Sequence, residues 1–408
     1  MSLNQIIEEW QGRPTFAVID LDAFATNVRT MRAWIEPNAR YCAVVKANAY
    51  GLGAIPLSKV ALENGADMVA VATVDEGAQL RRAGIRHDIL LMGPMGRGEK
   101  DLAVGMDMTV VMNDLPFAGG LARAVRENGR TKPLKVHLKV DTGMRRMGVM
   151  PQDAVAAAQK IMSYPELKLE GLMTHFASAD MEDMTSAERQ VAVFDSVVAD
   201  LDAAGIDIPV KHMCNSAGTV QRKEWHRDMV RSGIATYGVR PAPHIPLPGE
   251  LGEMKQIMSL HSQVMRVIPL AIGDAVSYGG TWVAQQETRG ALVPIGYADG
   301  YLRTLSNRGY MGVEGERAPI IGRVCMDQTI LEMPVALPSQ TRQRVTIIGN
   351  GTDEQPGAPS LEELAEIGDT IPHELITSIA PRVPKLYVRD GQVVAVSDLD
   401  GYREFQRS

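Results

Sequence analysis

The stretch Val44-Val45-Lys46-Ala47-Asn48-Ala49-Tyr50-Gly51-Leu52-Gly53 decides how the chain is read. An apolar, β-branched run ends on a lysine, and a glycine-bearing loop follows at once. This describes a buried strand whose carboxyl end delivers an amine to a site. Partial desolvation lowers the pKa of such an ammonium and opens Schiff-base chemistry to it. Gly51 and Gly53 allow backbone to approach an anionic ligand closely. A lone lysine is more often a surface charge with its stem laid on apolar neighbours, so the surroundings have to decide.

Outward from that stretch, Phe16 to about Gly238 alternates short apolar runs with amphipathic segments of helical length. The expected strands are Ala17 to Ile19, Cys42 to Val45, Met68 to Ala72, Ile89 to Met92, Thr109 to Met112, Lys135 to Val140, Leu169 to Thr174, Val210 to Met213 and Met229 to Ala235. Such alternation signals βα units on a parallel sheet. Roughly eight repeats without a glycine-rich dinucleotide fingerprint favour a closed (β/α)₈ TIM barrel, an α/β fold with its site at the carboxyl ends of the strands. After Pro241, Pro243, Pro246 and Pro248 the runs become short, β-branched and turn-separated: Leu260 to Ile268, Gly290 to Pro294, Ile320 to Cys325, Gln328 to Leu331, Arg344 to Ile348 and Gln392 to Ser397, with one clear helix near Leu361 to Glu366. This reads as a mostly β domain. The expected division is a barrel domain over 15–245 and a β-rich carboxyl-terminal domain over 246–408, with residues 1–14 packing on the latter.

The 408 residues exceed what one ordinary core supports, in keeping with two domains. A formal net charge of −7 and the lack of any long basic cluster speak against nucleic acid or an anionic membrane as the main partner. The polar, acidic start of the chain and the absence of an apolar run of spanning length lead to the expectation of a cytoplasmic protein. Cys42, Cys214 and Cys325 are an odd number without short spacing, so neither a disulfide framework nor a zinc site is expected.

Further motifs fall in order along the chain. His137-Leu138-Lys139-Val140-Asp141-Thr142-Gly143-Met144-Arg145-Arg146 closes one strand, and alternation aims His137 and Lys139 to one face. Spacing alone does not choose between Arg145 and Arg146 as the inward guanidinium. Asn215-Ser216-Ala217-Gly218 and Arg231-Ser232-Gly233-Ile234 offer a hydroxyl and amides at adjacent strand ends, as a phosphate requires. Val276-Ser277-Tyr278-Gly279-Gly280 sets a tyrosine among small residues in the β domain.

Together with the Lys46 segment, these motifs closely resemble those of alanine racemases over nearly the whole chain. The resemblance implies pyridoxal 5'-phosphate carried covalently on Lys46, with Tyr50, Ser216, the amides of Gly233 and Ile234, and Tyr387 around its phosphate. Ser232 stands where many relatives have proline, which leaves those amides in place. Arg231, partnered by His212, is implied to face the pyridine nitrogen; a permanent cation there opposes protonation and weakens the electron sink, favouring proton return over transamination. Arg146 is implied to anchor the substrate carboxylate, oriented by a carbamylated Lys139, although an ordinary ion-paired lysine fits that position too. Racemisation needs acid/base groups on both faces of the substrate carbon, here Lys46 and Tyr278, with His175 in the surroundings. Tyr297, Met326 and Asp327 match the substrate entrance, with Met326 and Asp327 coming from the second subunit of a homodimer with shared active sites. The implied activity is interconversion of L-alanine and D-alanine, supplying D-alanine for cell-wall peptidoglycan. A racemase of broader specificity, including serine, is the near alternative.

Two readings of other classes compete. A non-catalytic pyridoxal-phosphate carrier shares barrel and lysine but has no β domain bearing a second base. A metal-dependent barrel hydrolase could recruit His137, His175, His212 and Lys139, yet the early strands carry no His-x-His pair. Barrel-type amino-acid decarboxylases normally place an acid at the pyridine nitrogen, and Arg231 argues against them.

Overall fold

The computed structural model describes residues 5, 6, 9–249, 253–350 and 355–405. After β1 (Phe16–Asp20) come β2 (Arg40–Val44), β3 (Met68–Val71), β4 (Ile89–Leu91), β5 (Thr109–Met112), β6 (Leu134–Lys139), β7 (Leu167–Met173), β8 (Val210–His212) and β9 (Met229–Ser232). Strands β2 to β9 form a parallel sheet in the order β8-β7-β6-β5-β4-β3-β2-β9. Asp228 N donates to Lys211 O (3.0 Å) and Arg231 N to Cys214 O (3.1 Å), which brings the two end strands together and closes a (β/α)₈ barrel. The strands β3, β4 and β5 are buried throughout, because helices cover the outer face and side chains fill the interior. Helix Val74–Arg82 shows how locally these elements are written. Thr73 and Glu76 form a capping box, Asp75 and Glu76 sit in the first turn and Arg81 and Arg82 in the last, each sign matching the helix dipole.

One strand changes sheets relative to the sequence reading. The sequence pattern places Ala17 to Ile19 with the barrel strands, whereas β1 lies in the other sheet, antiparallel to β10 (Met258–Gln263) and parallel to Lys385–Arg389. A short run buried on both faces carries no mark of which sheet it joins. Ile6 and Trp10 pack there with Phe16, Val18 and Leu386; residues 1–4, 7 and 8, expected at the same place, lie outside the described residues.

The second half of the chain completes this eight-stranded, mostly antiparallel sheet and adds a three-stranded one from Arg266–Leu270, Thr288–Val293 and Thr329–Glu332. The expected run Leu260 to Ile268 breaks after Gln263, and its halves enter different sheets. Beyond a single bridge from Ile320 to Leu331, the segment expected as a strand to Cys325 is irregular. Two helices stand where one was expected, Leu361–Gly368 and Pro372–Ser378.

Asp299 ties the segment around Arg13 and the segment around Arg382 together in this half. Its fully buried carboxylate meets Arg13 Nη2 at 2.7 Å and Arg382 Nε at 2.6 Å, and accepts from Gly296 N at 3.0 Å. Removing one partner of a buried pair typically costs about 3–5 kcal/mol. Both guanidiniums are partly exposed, 27% and 34%, and would regain water, so Asp299→Ala is expected to cost roughly 2 kcal/mol. The urea midpoint should fall accordingly; an unchanged midpoint would show that the junction does not depend on this carboxylate.

Candidate active site

Lys46 follows β2 directly, and the backbone then does something unusual. Ala47, Asn48, Ala49 and Tyr50 all have φ between 52° and 56°, a single left-handed turn that costs L-residues roughly 1–2 kcal/mol each. Compensating bonds surround it. Ala49 N donates to Val45 O (2.8 Å), Gly51 N to Ala47 O (2.7 Å) and Ala54 N to Asn48 Oδ1 (2.8 Å). The Glu76 carboxylate accepts from Ala47 N (2.6 Å), Ala72 N (2.8 Å) and Thr73 N (3.2 Å), tying the turn to the end of β3. Glu76 belongs to the helix Val74–Arg82, and no motif in the sequence marks it for this role. The turn leaves the Lys46 amine half-buried, and burial followed by the nearby Arg146 lowers its pKa, with Glu76 opposing.

The amine lines a cavity of about 420 Å³ at the carboxyl ends of the strands, together with Tyr50, Arg146, His175, Ser216 and Arg231. Arg231 is buried, and its N–H groups donate to His212 Nδ1 (2.7 Å), Thr174 O (2.9 Å), His175 Nδ1 (3.1 Å) and Met213 O (3.1 Å). Every one of those acceptors is neutral. Burial, then Arg231, drives the pKa values of His175 and His212 far down. Lys139 lies just beneath, buried, its ammonium lowered to about 8 by burial and then by Arg231 and Arg146. The Asp141 carboxylate accepts from the amides of Gly143, Arg145 and Arg146 and so shapes the loop. That loop turns Arg146 to the cavity, while Arg145 reaches out to Met150 Sδ at 3.4 Å. Four cationic side chains thus face or flank a cavity whose lining holds a single carboxylate, Asp180.

At one end of the cavity, hydroxyls and amides converge. Ser216 opens the helix Ser216–Gln221, capped by Asn215. Its Oγ accepts from Gly233 N at 2.8 Å, which leaves the hydroxyl hydrogen for another acceptor. Gly233 presses against the Tyr50 hydroxyl so closely that any Cβ would collide with it. This donor set, under a positive field, fits a phosphate, and the Lys46 amine fits an aldehyde.

Tyr387, expected here, is elsewhere. It is fully buried in the strand Lys385–Arg389, edge-on to Tyr402 with ring centroids 5.7 Å apart, and does not line the cavity. His373 joins the wall instead, 5.8 Å from the Tyr50 ring between centroids. It sits on the short helix Pro372–Ser378, a seven-residue element too brief to show a period. Tyr278, Tyr297, Met326 and Asp327 also lie outside the cavity, on the surface of the β half. Tyr278 is 71% exposed and Met326 53%. The bonds Tyr297 N to Cys325 O (3.0 Å) and Ser277 Oγ to Arg323 O (2.7 Å) gather these segments into one patch, and Asp327 pairs with Arg382 at 2.6 Å. The structure therefore brings Lys46, Tyr50, Lys139, Arg146, His175, His212, Ser216, Arg231, Gly233 and Ile234 to the barrel mouth, leaves Tyr278, Tyr297, Met326 and Asp327 on an exposed face, and buries Tyr387 apart from both.

Residues 19–241 match the family model for the alanine racemase N-terminal domain, and residues 257–387 that for the C-terminal domain. The chain belongs to the alanine racemase family. Among its relatives, the alanine racemase of Desulfovibrio desulfuricans is 37% identical over 92% of this chain and 98% of its own, and that of Symbiobacterium thermophilum is 38% identical over 92% and 97%. The fold matches the crystal structure of the Bacillus anthracis alanine racemase with bound L-Ala-P (TM-score 0.86, 35% identity, 95% and 98% covered). It also matches that of the alanine racemase from D-cycloserine-producing Streptomyces lavendulae (TM-score 0.87, 35% identity, 93% and 98% covered). As a member of the alanine racemase family the chain is an isomerase acting on an amino acid. Among the described residues, no helix is long and apolar enough to cross a membrane.

Glu76→Ala strips three amides of their shared acceptor. The expected result is a stability loss of about 1–3 kcal/mol and at least a tenfold fall in racemase kcat as the Lys46 turn relaxes. Wild-type melting and turnover together would show that the turn holds without Glu76.

Proposed function

We propose that the chain interconverts L-alanine and D-alanine with pyridoxal 5'-phosphate held on Lys46, using Lys46 and Tyr278 from a second copy as bases on opposite faces of the substrate. The observation that carries this reading is the fixed guanidinium of Arg231 in the wall of the Lys46 cavity, held by neutral acceptors. The cofactor supplies an aldehyde for the amino group and a ring that draws electrons from the substrate Cα. Ser216, Tyr50 and the 233–234 amides would hold its phosphate. Arg231, a cation across the working pH range, would face the ring nitrogen and oppose its protonation, which would favour return of the proton to Cα over transamination. Arg146 binds the substrate carboxylate. The lowered pKa of Lys46 frees the amine to take and return the α-proton. On the opposite face, the exposed patch of Tyr278, Tyr297, Met326 and Asp327 closes the cavity of a partner protomer, so a homodimer makes two shared sites. Formation of D-alanine for peptidoglycan in the cytoplasm belongs to the same reading. A broader substrate range, including serine, is separated from it by turnover on a panel of L-amino acids. The metal-hydrolase reading loses ground because both ring nitrogens of His212 and Nδ1 of His175 are already engaged.

Lys139 is proposed to be carbamylated and to orient Arg146. Only the neutral amine takes up carbon dioxide, so a pKa lowered to about 8 raises the reactive fraction at neutral pH, and modification should increase as pH rises through 8. Carbon-13 bicarbonate should yield a carbamate resonance that Lys139→Met removes; an unmodified amine with full activity would reject the role.

The shared site is tested by mixing. Lys46→Ala and Tyr278→Phe homodimers should each be nearly inactive. In their heterodimer one site regains both groups and the other lacks both, so activity per heterodimer should approach half of wild type. No recovery after verified subunit exchange would place both bases on one chain.

A further inference from the structure

Beneath the cavity a column of polar side chains runs down the inside of the barrel, where such folds are usually packed with apolar branched residues. From the top it reads Arg231, His212, His137, Glu170, all buried. Arg231 Nη1 lies 2.7 Å from His212 Nδ1, and His212 Nε2 lies 2.8 Å from His137 Nδ1. His137 Nε2 has no hydrogen-bond partner and faces Glu170 Oε2 at 3.8 Å. A guanidinium only donates, so His212 Nδ1 is bare and its proton is on Nε2. That N–H donates to His137 Nδ1, which must be bare in turn, and the His137 proton points from Nε2 toward the carboxylate. One assignment satisfies every contact, with both rings neutral, and burial pushes both imidazoles toward that neutral form.

The backbone builds the foot of this column. Between β6 and β7 the register slips, since Val136 pairs with Leu169 but His137 with Gly171. Glu170 is the extra residue, and a bulge of this kind re-aims a side chain. Gly171 lies bare against the His137 ring, where any Cβ would collide with it. Lys135 and Lys168 each approach Glu170 Oε1 at 3.7 Å.

We propose that Glu170 is a positioning residue for the reaction, acting through His137 and His212 to hold Arg231 as a fixed, permanently charged guanidinium in the cavity wall. This rests on the reading of the site given above. With these tautomers a proton can move along the column in one direction, from Arg231 through both imidazoles to Glu170, and the guanidinium is much the weaker acid of the two ends. The column therefore neither passes a proton up to a group beside Arg231 nor takes the one Arg231 carries. It fixes charge and orientation.

The test is nitrogen-15 NMR of histidine-labelled holoenzyme together with steady-state kinetics. Wild type should show His137 and His212 as neutral Nε2–H tautomers. Glu170→Gln, which keeps shape and removes charge, should mix those tautomers and lower kcat for alanine about tenfold with KM within twofold. Glu170→Asp should restore part of both. Lys168→Met, which removes a different partner of Glu170, should change neither. A protonated Nδ1 on either ring of wild type, or Glu170→Gln with wild-type tautomers and kcat, would overturn the proposal. Were the enzyme to lack alanine turnover altogether, the function proposed above would fail while the tautomers still decided the column.

Discussion

A guanidinium buried at the mouth of the barrel is the constraint on which the rest of the site depends. Taking such an ion from water costs several kcal/mol, and Arg231 offsets this from β9 through acceptors on two strand ends: Thr174 O and His175 after β7, His212 and Met213 O at the end of β8. The same residues lie where β8 meets β9 and the barrel closes. Closure and electrostatics are thus one arrangement. A cation satisfied by neutral groups keeps its field, and that field adds to burial, the larger cause, in depressing the pKa values of Lys139, His175 and His212 around it. A carboxylate in the same place would have neutralised it and changed the chemistry available to any ring beside it.

The second constraint is steric. A left-handed turn of four residues is a costly way to leave a strand, and it is kept because the Glu76 carboxylate and the Asn48 side chain satisfy the amides around it. The turn sets Lys46 at the cavity and drops Tyr50 onto Gly233, so the amine end and the anion end of the site are fixed by one backbone feature.

The barrel and the residues at its strand ends were legible because each strand announces itself locally: an apolar run, a chemical residue, then a glycine or hydroxyl. Lys46, Ser216 and Arg231 all follow that grammar. What was not legible depends on partners distant in sequence. Strand β1 reads like a barrel strand and is claimed by Lys385–Arg389, more than 360 residues away. The resemblance implies a role for Tyr387 in the site, but its strand buries it in a sheet, and His373 reaches the cavity from a helix too short to show periodicity. Glu76 and Glu170 look like ordinary acids in sequence. Their importance lies in a carboxylate accepting amides from another loop and in a one-residue register slip, neither of which has a sequence signature.

In the proposed homodimer the exposed cluster of Tyr278 and Met326 would extend the same logic to a larger scale, a face of large exposed side chains on one copy meeting a cavity rich in donors and cations on another. The proposed function rests on Lys46 as the residue that would carry pyridoxal phosphate. The most direct measurement is borohydride reduction of the purified enzyme followed by mass spectrometry of its peptides. The account expects one pyridoxyl-phosphate adduct, on the peptide containing Lys46. An adduct fixed to any other lysine, or none on a protein that racemises alanine, would contradict it.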